Sequence, residues 1–205
     1  MQDHKASLKA DIDRMTQILL YTQESFIIAD YLIKTEKISY LNTIKKRNVF
    51  FEYVKHQSWR VMVIELCKLY YFKSGSKENT NNREQFNLRH LIKRLQPGGV
   101  YDWVGVQQEI IADWLAEMDR LDPFILDLLH LRDKRLAHDD RQVYAFNNVS
   151  RKYIQRMINI AQYILSLTSI KGLDEGMSFQ LVRSPSDALK KIIIQLADAQ
   201  CSKDK

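Results

Sequence analysis

The chain has 205 residues, of which 45% are hydrophobic and 27% charged, with a net charge of +6. That length allows one cored domain, or one domain with a small appendage. Only 6 Gly and 3 Pro occur, too few for a many-turned β-sandwich or a glycine-looped nucleotide fold, so the composition points to long helices. The positive charge favours a polyanionic partner without requiring one.

The spacing predicts a first helix over about residues 5–33. Leu8, Ile12, Met15, Leu19, Thr22, Phe26, Ala29 and Ile33 form a heptad-like seam three and four residues apart. A polar break at 34–39 leads to a second long helix over about 40–72, apolar around much of its circumference between Trp59 and Leu69. Residues 74–82 read as a loop. A short basic helix follows over 83–95 and closes at Gln96, Pro97, Gly98 and Gly99. After an irregular stretch at 102–105, a helix over 106–120 is expected to stop before Asp122 and Pro123. This Asp-Pro pair reads as the N-cap and first position of a new helix that ends near 139–141.

The next helix covers about 145–168, with Phe146, Val149, Tyr153, Met157, Ile160, Ile164 and Leu167 as its seam. Residues 177–183 suit an extended segment or a short edge strand. Ser184, Pro185, Ser186 and Asp187 then start a final short helix over 188–199. The expected fold is all-α, an up-and-down helical bundle over 1–170 with a C-terminal extension over 171–205.

Cys67 and Cys201 lie far apart without metal-ligand spacing and suit a reducing compartment. The first fifteen residues are too polar for a signal peptide, and no apolar run approaches the ~20 residues needed to cross a bilayer. The expectation is a cytoplasmic protein with no membrane partner. The five histidines show no H-E-x-x-H or similar spacing, so no metal site and no cofactor are expected.

The tract from Leu131 to Asp139, LRDKRLAHD, carries the most chemistry. At helical spacing one row reads Ile125, Leu129, Arg132, Leu136, and its neighbour reads Phe124, Leu128, Leu131, Arg135, His138. Two arginines and a histidine therefore fall on or beside a face that a helix buries, where an unpaired guanidinium costs several kcal/mol. Arg132 and His138 lie about 120° apart on an ideal helix. Convergence needs the length of the Arg side chain, a break at the helix end, or a second copy across a two-fold axis.

The string RDKRLAHDD, with Arg followed by a polar residue and His six positions on, resembles the signature of the HEPN superfamily (higher eukaryotes and prokaryotes nucleotide-binding). It is most similar to the abortive-infection AbiU-type branch. The motif covers about nine residues, and the helices before it agree in order and character over much of the chain, whereas the resemblance does not place the chain beyond Lys171. The resemblance implies a helical bundle that dimerises and cleaves RNA without a metal, as a toxin or antiphage effector, with 2′,3′-cyclic phosphate products.

On that resemblance His138 is the general acid–base, Arg132 holds the scissile phosphate and stabilises the phosphorane, and Asp133 orients Arg132 or His138. Lys134, Arg135 and Arg141 flank the motif as RNA-binding residues. RNA, a homodimer and an antitoxin protein are the implied partners. Many family toxins have Asn after the Arg, where this chain has Asp133. Others have a modifiable Tyr two residues after the His, where this chain has Asp140.

The same residues also admit plainer readings. Arg132 then forms a structural ion pair with Asp133, Glu65 or Asp139, and His138 satisfies helix-terminal carbonyls. The chain on that view is a catalytically silent dimeric module that binds RNA, a nucleotide or a protein. Arg83, Arg89, His90, Lys93 and Arg94 read as a solvated outer face. Trp59 and Trp114 read as core, and Trp103, in a loop, as the one candidate for base stacking.

Overall fold

The computed structural model describes residues 2–34, 39–70, 87–133, 150–181 and 184–203. Among these residues the protein is all-helical, with seven α-helices, one 3₁₀ turn and no strand. The helices are α1 (Gln2–Ile33), α2 (Ser39–Arg47), α3 (Val49–Tyr70), α4 (Leu88–Leu95), α5 (Gln108–Leu131), α6 (Arg151–Leu173) and α7 (Pro185–Lys203). The 3₁₀ turn spans Asp102–Val104. None of the described helices is long and apolar enough to cross a membrane.

The α1 seam is buried as its spacing predicts from Leu8 to Ala29, and then slips by one residue. Leu32 is buried where Ile33 was expected, and Ile33 is exposed. Leu32 packs instead with Leu41, Ile44 and Phe51 in a shared core.

The expected single helix from residue 40 is two helices. Asn48 interrupts it. Its amide still donates to the Ile44 carbonyl at 3.1 Å, while its side-chain oxygen accepts from the Phe50 amide at 2.9 Å. Asn48 thus closes α2 and caps α3, the role for which a short polar side chain is favoured.

The expected break at Asp122-Pro123 does not occur. α5 continues through Pro123, because Ile111, Trp114, Met118, Leu121, Ile125 and Leu128 form one uninterrupted buried stripe. Pro123 lies exposed on the opposite side, and burial of the stripe outweighs the lost backbone hydrogen bond. Asp122 accepts a hydrogen bond from Arg89 Nη2 at 2.7 Å.

α4 starts at Leu88, later than expected, because Asn87 is extended and its side chain caps the Arg89 amide at 2.8 Å. The α6 seam also differs. Ile154, Ile158, Ala161, Leu165 and Thr168 are buried beside Met157 and Ile164, whereas Tyr153, Ile160 and Leu167 are only half-buried. Small and polar residues are buried among the large apolar ones, and Thr168 satisfies its hydroxyl on the Ile164 carbonyl at 2.8 Å. Phe146 and Val149 lie outside the described residues. Residues 177–181 are irregular rather than a strand, and Ser184 accepts from the amides of Asp187 and Ala188 at the start of α7.

The chain divides into two compact units. The first comprises Met1–Leu20 and Val63–Phe179, and the second Tyr21–Met62 and Gln180–Lys205. In the first, Asp11 of α1 accepts from the Tyr101 hydroxyl at 2.6 Å and pairs with Arg94 of α4. Gly172 of α6 permits close packing, since a Cβ there would stand 2.6 Å from Leu8 Cδ2 and 3.2 Å from Val104 Cγ2. In the second unit Leu32, Leu41, Ile44, Phe51, Ile193 and Ala197 form a core. Its buried Lys45 donates to the carbonyls of Tyr31 and Lys34, satisfying the end of α1.

Candidate functional site

The motif tract begins at the C-terminal end of α5, in the first unit. Contacts to α6 hold this helix in place. Trp114 meets Tyr163 edge-on at 6.1 Å, Glu117 pairs with Arg156, and Phe124 stacks on Tyr153. Rising numbers on α5 meet falling numbers on α6, so the two run antiparallel. α6 is tied in turn to α3 by the Tyr70 hydroxyl, which donates to the Met157 carbonyl.

At Arg132 the helical backbone continues but widens. The Arg132 amide donates to the carbonyls of both Leu128 and Leu129, and Arg132 and Asp133 adopt π-helical spacing. π-helical turns are frequent at functional sites. Arg132 Nε donates to Asp133 Oδ1 at 2.7 Å. The arginine side chain is 34% exposed and the aspartate 62%, so the pair lies near the surface.

The electrostatics agree with that placement. The hydrogen bond from Arg132 holds the Asp133 carboxyl below the usual aspartate range, and the charges of Arg132 and His130 add to this. Asp133 is therefore ionised and partly neutralises its neighbour. On α3, burial pushes the Cys67 thiol up to about 12, and the positive charge of Arg132 only partly offsets that effect. Cys67 is a neutral thiol and a poor nucleophile at physiological pH. His130 and Cys67 thus belong to the surroundings of Arg132. Neither was legible in the sequence, because Cys67 arrives from a distant helix and His130 is not part of the motif string.

Of the sequence-predicted site residues, the structure brings Arg132 and Asp133 together. His138, Lys134, Arg135 and Arg141 lie outside the described residues, as do Asp139 and Asp140. Glu65, another partner considered for Arg132, is bonded to Lys68 at 2.5 Å. Among the described residues no group of three or more His, Cys, Asp or Glu side chains is placed to hold a metal ion.

The basic helix α4 directs its arginines to partners within the protein. Arg89 bridges Asp119 and Asp122 of α5 at 2.8 and 2.7 Å, and Arg94 pairs with Asp11 and lies over the Tyr101 ring at 4.1 Å. Trp59 and Trp114 are buried, and Trp103 is exposed on the 3₁₀ turn. No family model, no curated protein and no solved structure matches the chain.

Proposed function

We propose that the protein is a metal-independent endoribonuclease of HEPN type, acting as a homodimer in a toxin or antiphage role. The observation that carries this reading is the RDKRLAHDD string itself. Its first two residues, Arg132 and Asp133, stand at the end of a long, packed helix, and the arginine side chain is partly exposed.

In the proposed reaction the ribose 2′-hydroxyl attacks the adjacent phosphorus while an imidazole accepts its proton. The P–O5′ bond breaks as a protonated imidazole donates to the leaving oxygen. The products are a 2′,3′-cyclic phosphate and a 5′-hydroxyl. His138 takes the proton-transfer role, and two copies across a dimer divide the acid and base tasks. Arg132 stabilises the charge that develops on the non-bridging oxygens, and Asp133 fixes the plane of its guanidinium through Nε. Lys134, Arg135 and Arg141 supply phosphate contacts.

One observation favours a second reading. The 2.7 Å pair with Asp133 lowers the net charge that Arg132 offers a phosphate, which suits a silent module that binds RNA or another partner. Cleavage of RNA in EDTA by the wild-type chain, lost in Arg132→Ala with the fold retained, supports the nuclease. Salt-sensitive binding without any product, weakened by Arg132→Ala, selects the silent module.

A further inference from the structure

On the side of α6 away from its buried residues, Ile160, Tyr163, Leu167 and Ile170 follow one another at spacings of three, four and three. Tyr163 is 56% exposed and Ile170 52%, with Ile160 and Leu167 half-buried. No Asp, Glu, Lys or Arg occurs from Met157 to Ile170, although 27% of the chain is charged. The stripe is also anchored, because Trp114 of α5 meets the Tyr163 ring edge-on. Loss of charge around exposed aromatic and aliphatic side chains is the compositional mark of the centre of a protein–protein interface.

The charges at the two ends of the stripe select its occupant. Lys152 stands eleven residues before Tyr163 and Asp174 eleven residues after it. Eleven residues are about three helical turns, so both positions fall on the side of α6 that carries Tyr163. Both are exposed, Asp174 as the left-handed residue that ends the helix. A two-fold axis through Tyr163 sets two copies of α6 antiparallel, with Lys152 of each opposite Asp174 of the other and Arg151 opposite Glu175. Further in, Arg156 faces Ile170 and Gln155 faces Lys171, so no like charges oppose each other from 151 to 175.

An isologous contact demands this arrangement, since each charge must be complemented by the residue at the same distance beyond the axis. Arg156 is paired with Glu117 of its own chain, and its apolar stem suits the ring-free side of Ile170. Glu175 is bonded to Lys9 at 2.6 Å, so the Lys152–Asp174 pair is the one that the test uses.

We infer that this α6 face binds the same face of a second copy of the chain, antiparallel about Tyr163. The contact is separate from the shared-site dimer of the nuclease reading and does not rest on it. Phe124 of α5 is level with Tyr153 of α6, and Arg132 lies eight residues further out. A two-fold axis at Tyr163 therefore holds two Arg132 residues on the order of 50 Å apart, too far to share one phosphate.

The test follows the mass of the full chain by sedimentation velocity over a concentration series at low salt, where the wild type is expected to associate reversibly. Lys152→Glu and Asp174→Lys are each expected to weaken association about tenfold, since each turns two attractive pairs into two repulsive ones. The combined Lys152→Glu/Asp174→Lys variant is expected to restore it, because the reversed pair forms again across the axis. Ile170→Lys, set against the partner's Arg156, is expected to weaken association about tenfold or more without rescue. All three sites are exposed, so circular dichroism of the variants is expected to match the wild type.

A wild type that stays monomeric, folded variants that associate as the wild type does, or a charge swap that fails to restore association overturns the inference. A dimeric wild type whose α6 variants are equally dimeric and still cleave RNA removes this inference and leaves the nuclease reading. Rescue by the charge swap with no RNA cleavage does the reverse.

Discussion

Arg132 donates through Nε to the carboxylate of Asp133, its immediate neighbour, at 2.7 Å, where α5 widens from α to π spacing. Adjacent residues on a regular helix point about 100° apart and rarely pair. Here both side chains sit at the edge of the protein, and the pair fixes the guanidinium by one edge. On the nuclease reading this is how a phosphate-binding arginine is oriented.

The pair sets the acid behaviour of Asp133. Its carboxyl, lowered by Arg132, contributes stability that is present above the ordinary aspartate range and lost as pH falls through the lower folded value. Because both groups are solvent-accessible, the contribution is below ~1 kcal/mol. Carboxyl NMR should place Asp133 below the ordinary range in the wild type and back near it in Arg132→Gln. An unchanged titration in the variant would contradict the pairing.

Pro123 tests the continuity of α5. In the interior of a continuous helix its missing N–H and its ring both cost stability, so Pro123→Ala should stabilise the protein by about 1–2 kcal/mol after the added unfolded-state entropy. Urea denaturation reads the effect. A loss of stability would mean that a new helix begins at Pro123, as the Asp-Pro pair alone suggests.

Tyr101 ties the turn before α5 to α1. Its buried hydroxyl donates to Asp11 at 2.6 Å and lies 3.0 Å from Ser7 Oγ, and burial pushes its pKa up to about 12. Tyr101→Phe should cost about 1–3 kcal/mol, because Asp11 loses a short hydrogen bond while remaining bonded to Arg94. A melting temperature equal to the wild type would show that the cluster contributes nothing to stability.

Much of the helical content was legible in the sequence, since heptad spacing from Leu8 to Ala29 reports burial directly. The boundaries were less so. Asn48 breaks a run whose apolar pattern continues on both sides, and Pro123 fails to break one because six buried residues hold the helix together. The α6 seam was misplaced because Ile154, Ile158 and Leu165 lie one position after equally apolar or aromatic residues, and Ala161, Thr168 and Gly172 are buried without being large or apolar enough to stand out. At the site, Arg132 and Asp133 were legible as a motif, and their pairing as one of several options. The approach of Cys67 depends on how α3 folds against the rest of the first unit, which one sequence does not encode locally.

The most direct measurement incubates the purified wild-type chain and its His138→Ala variant with total cellular RNA in EDTA, and then analyses the RNA ends. The account predicts wild-type cleavage that leaves 2′,3′-cyclic phosphates and 5′-hydroxyls, absent in the folded variant. Equal cleavage by both proteins would contradict the assignment of His138, and no cleavage by a folded wild type would contradict the nuclease reading.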